Sequence, residues 1–445
     1  MVSRTARILT EILLSGSLLF FAAGCSKDDI STPDNTDPKE HTDDPQKPET
    51  PPVFPEELHA LAHVYIDTPK AVPVTSKKEW ITLATIKITG DGGAVLFEED
   101  SLKIRGRGNS TWKNYPKKPY YIKLDHQANF FGTGKSKRWV LLPNWMDRTL
   151  LRNDVAFEAA RRTSLAWNPS GEFVELYLNG THLGNYWLGE KINVEGSKFE
   201  ADYLYSIDSS DASECDFTTT YGYRYNDKQP GLPTEVKYPD RDDNEYEKTG
   251  FGAVLSAART FIDEAALSIL KGDFKKIDLD SFCDWYLVYE LCGNLEPRHP
   301  KSCFFYAKGG KLYAGPVWDF DWGTFQPTYE GLLIDRTLWF ASYDRGDASF
   351  AGLFSKSAFK KRLKERWKAL KPKFETLGQY VDARAEKIRE SEAVNHEMWP
   401  CYPNPFDASG KINQDEDLSF DEAVARLKES INLRISQLDT YIQAL

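Results

Sequence analysis

Phe173-Val174-Glu175-Leu176-Tyr177-Leu178-Asn179-Gly180-Thr181-His182-Leu183-Gly184-Asn185-Tyr186-Trp187-Leu188 reads as two strands around a two-residue turn. Asn-Gly supplies the positive φ angles that a tight hairpin turn demands. Toward the N-terminus the strand pattern continues. Ile81 to Ile88, Ser101 to Arg107, Tyr120 to Leu124 and Arg138 to Leu142 alternate apolar and polar side chains. One helix interrupts them, with Asp147 as its expected N-cap and Leu150, Leu151, Val155, Ala156 and Ala159 near helical spacing. Toward the C-terminus the period changes after residue 245. Phe251, Val254, Leu255, Ala258, Phe261, Ile262 and Ala265 follow 3.6-residue spacing, and Asp278 is placed to cap a helix through Phe282, Trp285, Tyr286 and Tyr289. Cys303 to Tyr306 and Lys311 to Ala314 form a short strand pair around Gly309-Gly310. Val424, Leu427, Ile431, Ile435, Leu438 and Ile442 mark a last helix. Strands first and helices after predict an α+β fold with two lobes. The N-terminal lobe is expected over 56–200 and the helical C-terminal lobe over 201–445, with a ligand cleft between them.

The composition excludes several alternatives. Of 445 residues, 41% are hydrophobic and 13% aromatic, which is the make-up of a globular chain with a large core. A net charge of -11 repels nucleic acid, so no nucleic-acid partner is expected. Residues 1–24 read as a signal segment. Arg4 and Arg7 precede an apolar run from Ile12 to Ala23 that is too short to span a bilayer. The run ends in Ala22-Ala23-Gly24-Cys25, which resembles a bacterial lipobox and makes Cys25 the expected lipid-bearing residue. An ordinary cleaved signal peptide is the alternative. Residues 25–55 form a Pro- and Asp-rich tether that cannot bury enough area to order itself. Its acidic start, Ser26-Lys27-Asp28-Asp29, resembles the surface-export signal of Bacteroidetes lipoproteins and implies an outer-membrane address. Cys215, Cys283, Cys292, Cys303 and Cys401 show no zinc-site spacing, and the sequence leaves open whether any two of them pair.

The strongest chemical signal is Gly315-Pro316-Val317-Trp318-Asp319-Phe320-Asp321-Trp322. In an extended chain Asp319 and Asp321 share one face and Phe320 takes the other. Two carboxylates on one face grip a hard cation such as Mg²⁺, which holds phosphate oxygens in turn. The bland alternative is a solvated acidic loop. Against it, aspartates wedged among Trp318, Phe320 and Trp322 are poorly solvated, and such a pair is costly without a counter-ion. A second signal runs from Lys103-Ile104-Arg105-Gly106-Arg107-Gly108 to Pro116-Lys117-Lys118-Pro119-Tyr120-Tyr121-Ile122-Lys123-Leu124. Two basic strands around a glycine loop suit a flap over polyphosphate, though basic strands are often just solvated faces. Lys123, flanked by Ile122 and Leu124, is the better phosphate candidate, and Lys117 is expected to face water. Gly134-Lys135-Ser136 imitates a P-loop, but Asn129 stands where the first glycine belongs and a strand follows instead of a helix.

The order of these segments resembles the CotH (spore-coat protein H) kinase-like family. The resemblance runs through Ile104 to Trp112 and Lys117 to Leu124, then Trp139-Val140-Leu141-Leu142-Pro143-Asn144 with Asp147, Arg152 and Asn153. It continues through Leu178 to Trp187 with Glu190-Lys191, Val236-Lys237-Tyr238-Pro239-Asp240 and Trp318-Asp319-Phe320-Asp321. The resemblance implies an atypical protein-kinase-like fold that binds ATP and Mg²⁺ or Mn²⁺ between its lobes and phosphorylates a protein acceptor. Carried over, Lys123 or Lys118 would contact ATP phosphates, with Arg105, Arg107 and Glu190 in the cofactor-binding set. Asp319 and Asp321 would hold the metal. Glu296, in Gly293-Asn294-Leu295-Glu296, stands where the family has a catalytic Asp after an Asn. Two functions follow. One is phosphoryl transfer from ATP to protein Ser or Thr. The other is a weak or inactive kinase-like scaffold that binds cell-surface glycan or a partner protein.

Overall fold

The computed structural model describes residues 60–445, apart from 195–198, 209–214, 222, 225–228, 242–249, 295, 299–300, 322, 326–350, 401–414 and 416. Seven strands close into a barrel: β1 (Ala62–Asp67), β2 (Ile81–Thr89), β3 (Val95–Gly106), β4 (Tyr120–Ala128), β5 (Ser136–Leu142), β6 (Gly171–Leu178) and β7 (Thr181–Glu190). The order is β1-β2-β3-β4-β5-β7-β6, with β1 closing on β6 in parallel and the other pairs antiparallel. Alternation along each strand fills the interior with Val64, Ile86, Ile104, Ile122, Trp139 and Leu188. The β6–β7 turn has Asn179 at φ 51° and Gly180 at φ 74°, as the hairpin reading requires.

Beyond the barrel the chain carries a sheet as well as helices. β8 (Tyr203–Ile207), β9 (Phe217–Thr218), β12 (Pro233–Tyr238), β13 (Cys303–Lys308) and β14 (Lys311–Ala314) are ordered β14-β13-β8-β12-β9, and β10 (Tyr223–Arg224) pairs separately with β11 (Gln229–Pro230). The helices are α1 (Ser110–Asn114), α2 (Arg152–Arg161), α3 (Gly252–Lys271), α4 (Leu279–Cys292), α5 (Ser357–Phe374), α6 (Leu377–Met398) and α7 (Phe420–Ala444). The fold is therefore α+β. One continuous core joins the outer face of the barrel, at Tyr121, Val140 and Trp187, to α2, α4, α5, α6 and α7. Helix α4 is buried on all sides, and Asp278 caps it by accepting from Ser281 N–H at 2.9 Å, as expected. Helix α7 buries Val424, Leu427, Ile431, Ile435, Leu438 and Ile442 on one face, and a Ser419–Glu422 capping box starts it.

Two expectations are corrected. Asp147 is not the N-cap of α2, which begins five residues later. It reaches forward, accepting from Arg152 N–H at 2.7 Å and from Thr149 N–H at 2.9 Å, and pairs with the Arg152 guanidinium. Lys117 does not face water: it is fully buried. Its ammonium donates to Pro143 O at 3.2 Å, Asn395 Oδ1 at 2.7 Å and Asn185 O, so it ties the barrel to α6. Burial is tolerable there because carbonyls replace the lost water.

Candidate functional site

Helix α4 ends at Gly293, whose φ of 64° supplies the left-handed cap, and this turn delivers Asn294. Asn294 Oδ1 accepts from Glu296 N–H at 2.8 Å, while its Nδ2 donates to Asp319 O at 2.8 Å and Thr324 Oγ1 at 3.2 Å. One amide thus knits Glu296 to the segment after β14. Asn153 on α2 holds the same segment from the other side, accepting from Phe320 N–H at 2.8 Å. Arg152 Nε donates to Thr324 O at 2.9 Å. Tyr289 OH donates to Trp318 O at 3.2 Å. Phe320 is fully buried against Tyr289 and Phe157.

The segment is not the simple extended chain expected. Asp319 lies at φ 71°, a left-handed conformation that side chains rarely adopt, and Ser302 Oγ donates to its Oδ2 at 2.8 Å. The two aspartates nevertheless meet, with a hydrogen bond between their side chains. Burial, then the charge of Asp319 and that hydrogen bond, push the Asp321 carboxyl up to about 8, with Arg107 opposing. Burial, then Asp319, pushes Glu296 up to about 8, with Lys301 opposing. Tyr115 is held protonated by burial and by Asp321, Asp319 and Glu296. Arg107 follows β3 and stacks over the Trp318 ring at 5.4 Å. Burial lowers its pKa, and Asp319 and Asp321 counteract that. A Cβ at Gly106, the residue before it, would lie 2.3 Å from the Trp112 ring, so any side chain there would force that ring to move.

Of the residues expected from sequence, the structure brings together Arg107, Glu296, Asp319 and Asp321. The others lie elsewhere on the barrel. Lys123 is on the outer face of β4, across from Lys103 on β3 and Arg138 on β5. Lys118 Nζ donates to Trp112 O at 2.8 Å. Arg105 lies 4.3 Å over Trp80 and donates to Lys78 O at 3.3 Å. Glu190 is buried in register with Trp139, within 3.5 Å of Asn193 Nδ2. Sequence reasoning named Asn153 and Arg152 only as parts of motifs. Their role as clamps depends on contacts with segments more than a hundred residues away.

Among the described residues, no group of three or more His, Cys, Asp or Glu is arranged to hold a metal ion. The donor set still fits one hard cation. Mg²⁺ is commonly held by one or two carboxylates plus substrate phosphates, and here two crowded carboxyls keep a proton that a cation would displace.

The CotH kinase protein family matches residues 104–438, about three quarters of the chain. The chain belongs to that family. The matched span begins within β3 and ends within α7, so it takes in Arg107, Glu296, Asp319 and Asp321. No curated protein matches the chain significantly. Cys25, the signal segment and the tether lie outside the described residues, as does Cys401. Cys283, Cys292 and Cys303 are buried free thiols. Among the described residues no helix is long and apolar enough to cross a membrane.

Proposed function

We propose that this family member moves the γ-phosphoryl group of ATP to a Ser or Thr hydroxyl of a protein acceptor. One juxtaposition carries the reading: Glu296, Asp319 and Asp321 converge from separate segments with Arg107 against them. Family membership adds nucleotide and metal use in general. In this reading the barrel and the helices past it act as the two lobes. Asp319 and Asp321 hold Mg²⁺ or Mn²⁺, which when bound neutralises charge on the phosphate oxygens. Arg107 sits where a phosphate chain needs a cation, and Asn294 and Asn153 fix the backbone of the aspartate segment. Glu296 orients the acceptor hydroxyl and takes its proton. Its longer side chain, in place of the family's Asp, must still reach, because positioning supplies most of phosphoryl-transfer catalysis.

The test is incubation of the purified protein with labelled ATP and Mg²⁺ or Mn²⁺. Label should enter a protein acceptor or the protein itself, and Asp319→Ala should abolish it. Undiminished labelling by Asp319→Ala would remove that residue from the metal site. Glu296 favours a second reading, an inactive scaffold. Its signature is a nucleotide-dependent rise in melting temperature with no label transferred. Lipid attachment at Cys25 and display on the outer membrane complete the proposal. A lipid-analogue label that survives Cys25→Ser would refute the attachment.

A further inference from the structure

Helix α5 is out of keeping with the rest of the chain. Eight of its 18 residues are Lys or Arg and one is acidic, in a protein of net charge -11. Its two arginines have a structural task. Arg362 pairs with Asp280 at 2.6 Å and Arg366 with Asp284 at 2.5 Å, which fastens α5 to α4. The lysines take another side. Lys360, Lys364, Lys368 and Lys371 follow helical spacing and so stand in one row. A helix face that only solubilises mixes charges of both signs, whereas like charges at this spacing oppose the helix they sit on.

The row borders a groove. Between α5 and the last turns of α7 lies a cleft of about 380 Å³, with Lys364, Lys368 and Lys371 on one wall and Asp439 and Gln443 on the other. Trp367, at its base, donates Nε1–H to Asp439 Oδ1 at 2.8 Å. Lys371 donates to Asp439 Oδ2 at 2.8 Å, and Lys364 donates to Gln443 O at 3.3 Å. Lys368 is exposed and has neither ion pair nor hydrogen bond among the described residues. The acid in the groove thus serves Lys371, and Lys364 and Lys368 leave the cleft positive. The groove stands apart from the reacting groups. Arg434 on α7 holds Glu290 O, four residues before Asn294, and Asp439 to Gln443 lie about 8–14 Å along that helix from Arg434.

We propose that this groove docks an acidic segment of the protein acceptor while the acceptor's hydroxyl is presented at Glu296. The acceptor's identity rests on the phosphoryl-transfer reading, whereas the basic groove stands on its own contacts. Lys364 and Lys368 are about 6 Å apart along the helix axis, and alternate side chains of an extended chain are about 6.6 Å apart. Glu or Asp at every second position therefore meets successive lysines. A narrow cleft suits a chain better than the flat face of a bilayer. The rest of the surface carries net negative charge and repels the same segment, so attraction at α5 also sets the acceptor's orientation.

The probe is a short fluorescent peptide alternating Glu and Ala, followed by anisotropy with the full-length protein at low salt. Lys364→Gln combined with Lys368→Gln should bind it about tenfold more weakly, the loss of two exposed ion pairs. Both side chains are exposed, so the fold does not depend on them. Lys135→Gln combined with Lys311→Gln, the same charge change at exposed positions elsewhere, should leave binding unchanged. Equal affinity of the wild type and the Lys364/Lys368 variant, or no binding by the wild type, would overturn the assignment. So would phosphatidylglycerol vesicles that capture the wild type through these lysines while the peptide stays free. In the transfer assay, an acceptor carrying the Glu-Ala segment should have a KM about tenfold below that of its Gln-Ala counterpart at equal kcat, and the Lys364/Lys368 variant should erase the difference. Label transfer without peptide binding sinks the docking site and spares the kinase reading. Peptide binding that needs Lys364 and Lys368, with no label in any acceptor, removes the kinase reading and leaves the groove as a site for an acidic segment.

Discussion

Replacing Arg152 by Met should be among the most damaging single changes in this fold, and the contacts say by how much. Its guanidinium pairs with Asp147, pairs with Asp415 at 2.5 Å and donates Nε–H to Thr324 O at 2.9 Å. Arg152 and Asp147 are each 1% exposed and Asp415 is 5% exposed, so water cannot take over. Removing one member of such a buried group leaves an uncompensated charge and costs about 3–5 kcal/mol. The two carboxylates do not suffer equally. Asp415 keeps Arg426 at 2.7 Å, whereas among the described residues Asp147 keeps only neutral donors at Thr149 and the backbone of residue 152. Most of the loss therefore comes from Asp147. Asp147→Asn alone should cost less, about 2 kcal/mol, because Arg152 retains Asp415 and Thr324 O. The double variant should fall short of the summed losses by about 2 kcal/mol, since the stranded charge is gone. Arg152→Lys should not rescue, as a point charge cannot fork between two carboxylates. Urea unfolding of the four proteins at pH 7 reads these terms. Additive losses, or an Arg152→Met cost below about 1 kcal/mol, would refute the reasoning that Asp147 and Arg152 are a coupled buried pair.

Lys117→Met should lose about 2–4 kcal/mol by the same urea assay, because three buried carbonyl oxygens lose a charged donor. If Glu296 is the base, its carboxyl must be ionised, and burial and Asp319 hold its pKa at about 8 in the nucleotide-free protein. The rate of label transfer at limiting nucleotide should then climb with pH up to about 8, and Glu296→Gln should remove that rise. A flat profile from pH 6 to 9 in the wild type would exclude Glu296 from proton transfer.

The hairpin at Asn179-Gly180, the Asp278 cap and the α7 face were legible because each rests on neighbours in sequence. Spacing and turn chemistry act over a few residues, and those forces are the same in any fold. The α+β class followed from them. Asp319 and Asp321 were singled out by strand alternation, which the left-handed backbone of Asp319 does not follow, and Arg107 and Glu296 entered through the family resemblance. Barrel closure was not legible, since the parallel contact of β1 with β6 joins segments more than a hundred residues apart. Nor was the fate of the lysines. Lys117, Lys123 and Lys191 look alike in a basic, strand-rich sequence. Whether a lysine meets carbonyls, open strand surface or other cations depends on which distant segments fold against it. Charge in water is cheap and charge in the interior is not, so only the assembled fold decides which of these ammonium groups is locked into the core and which keeps its water.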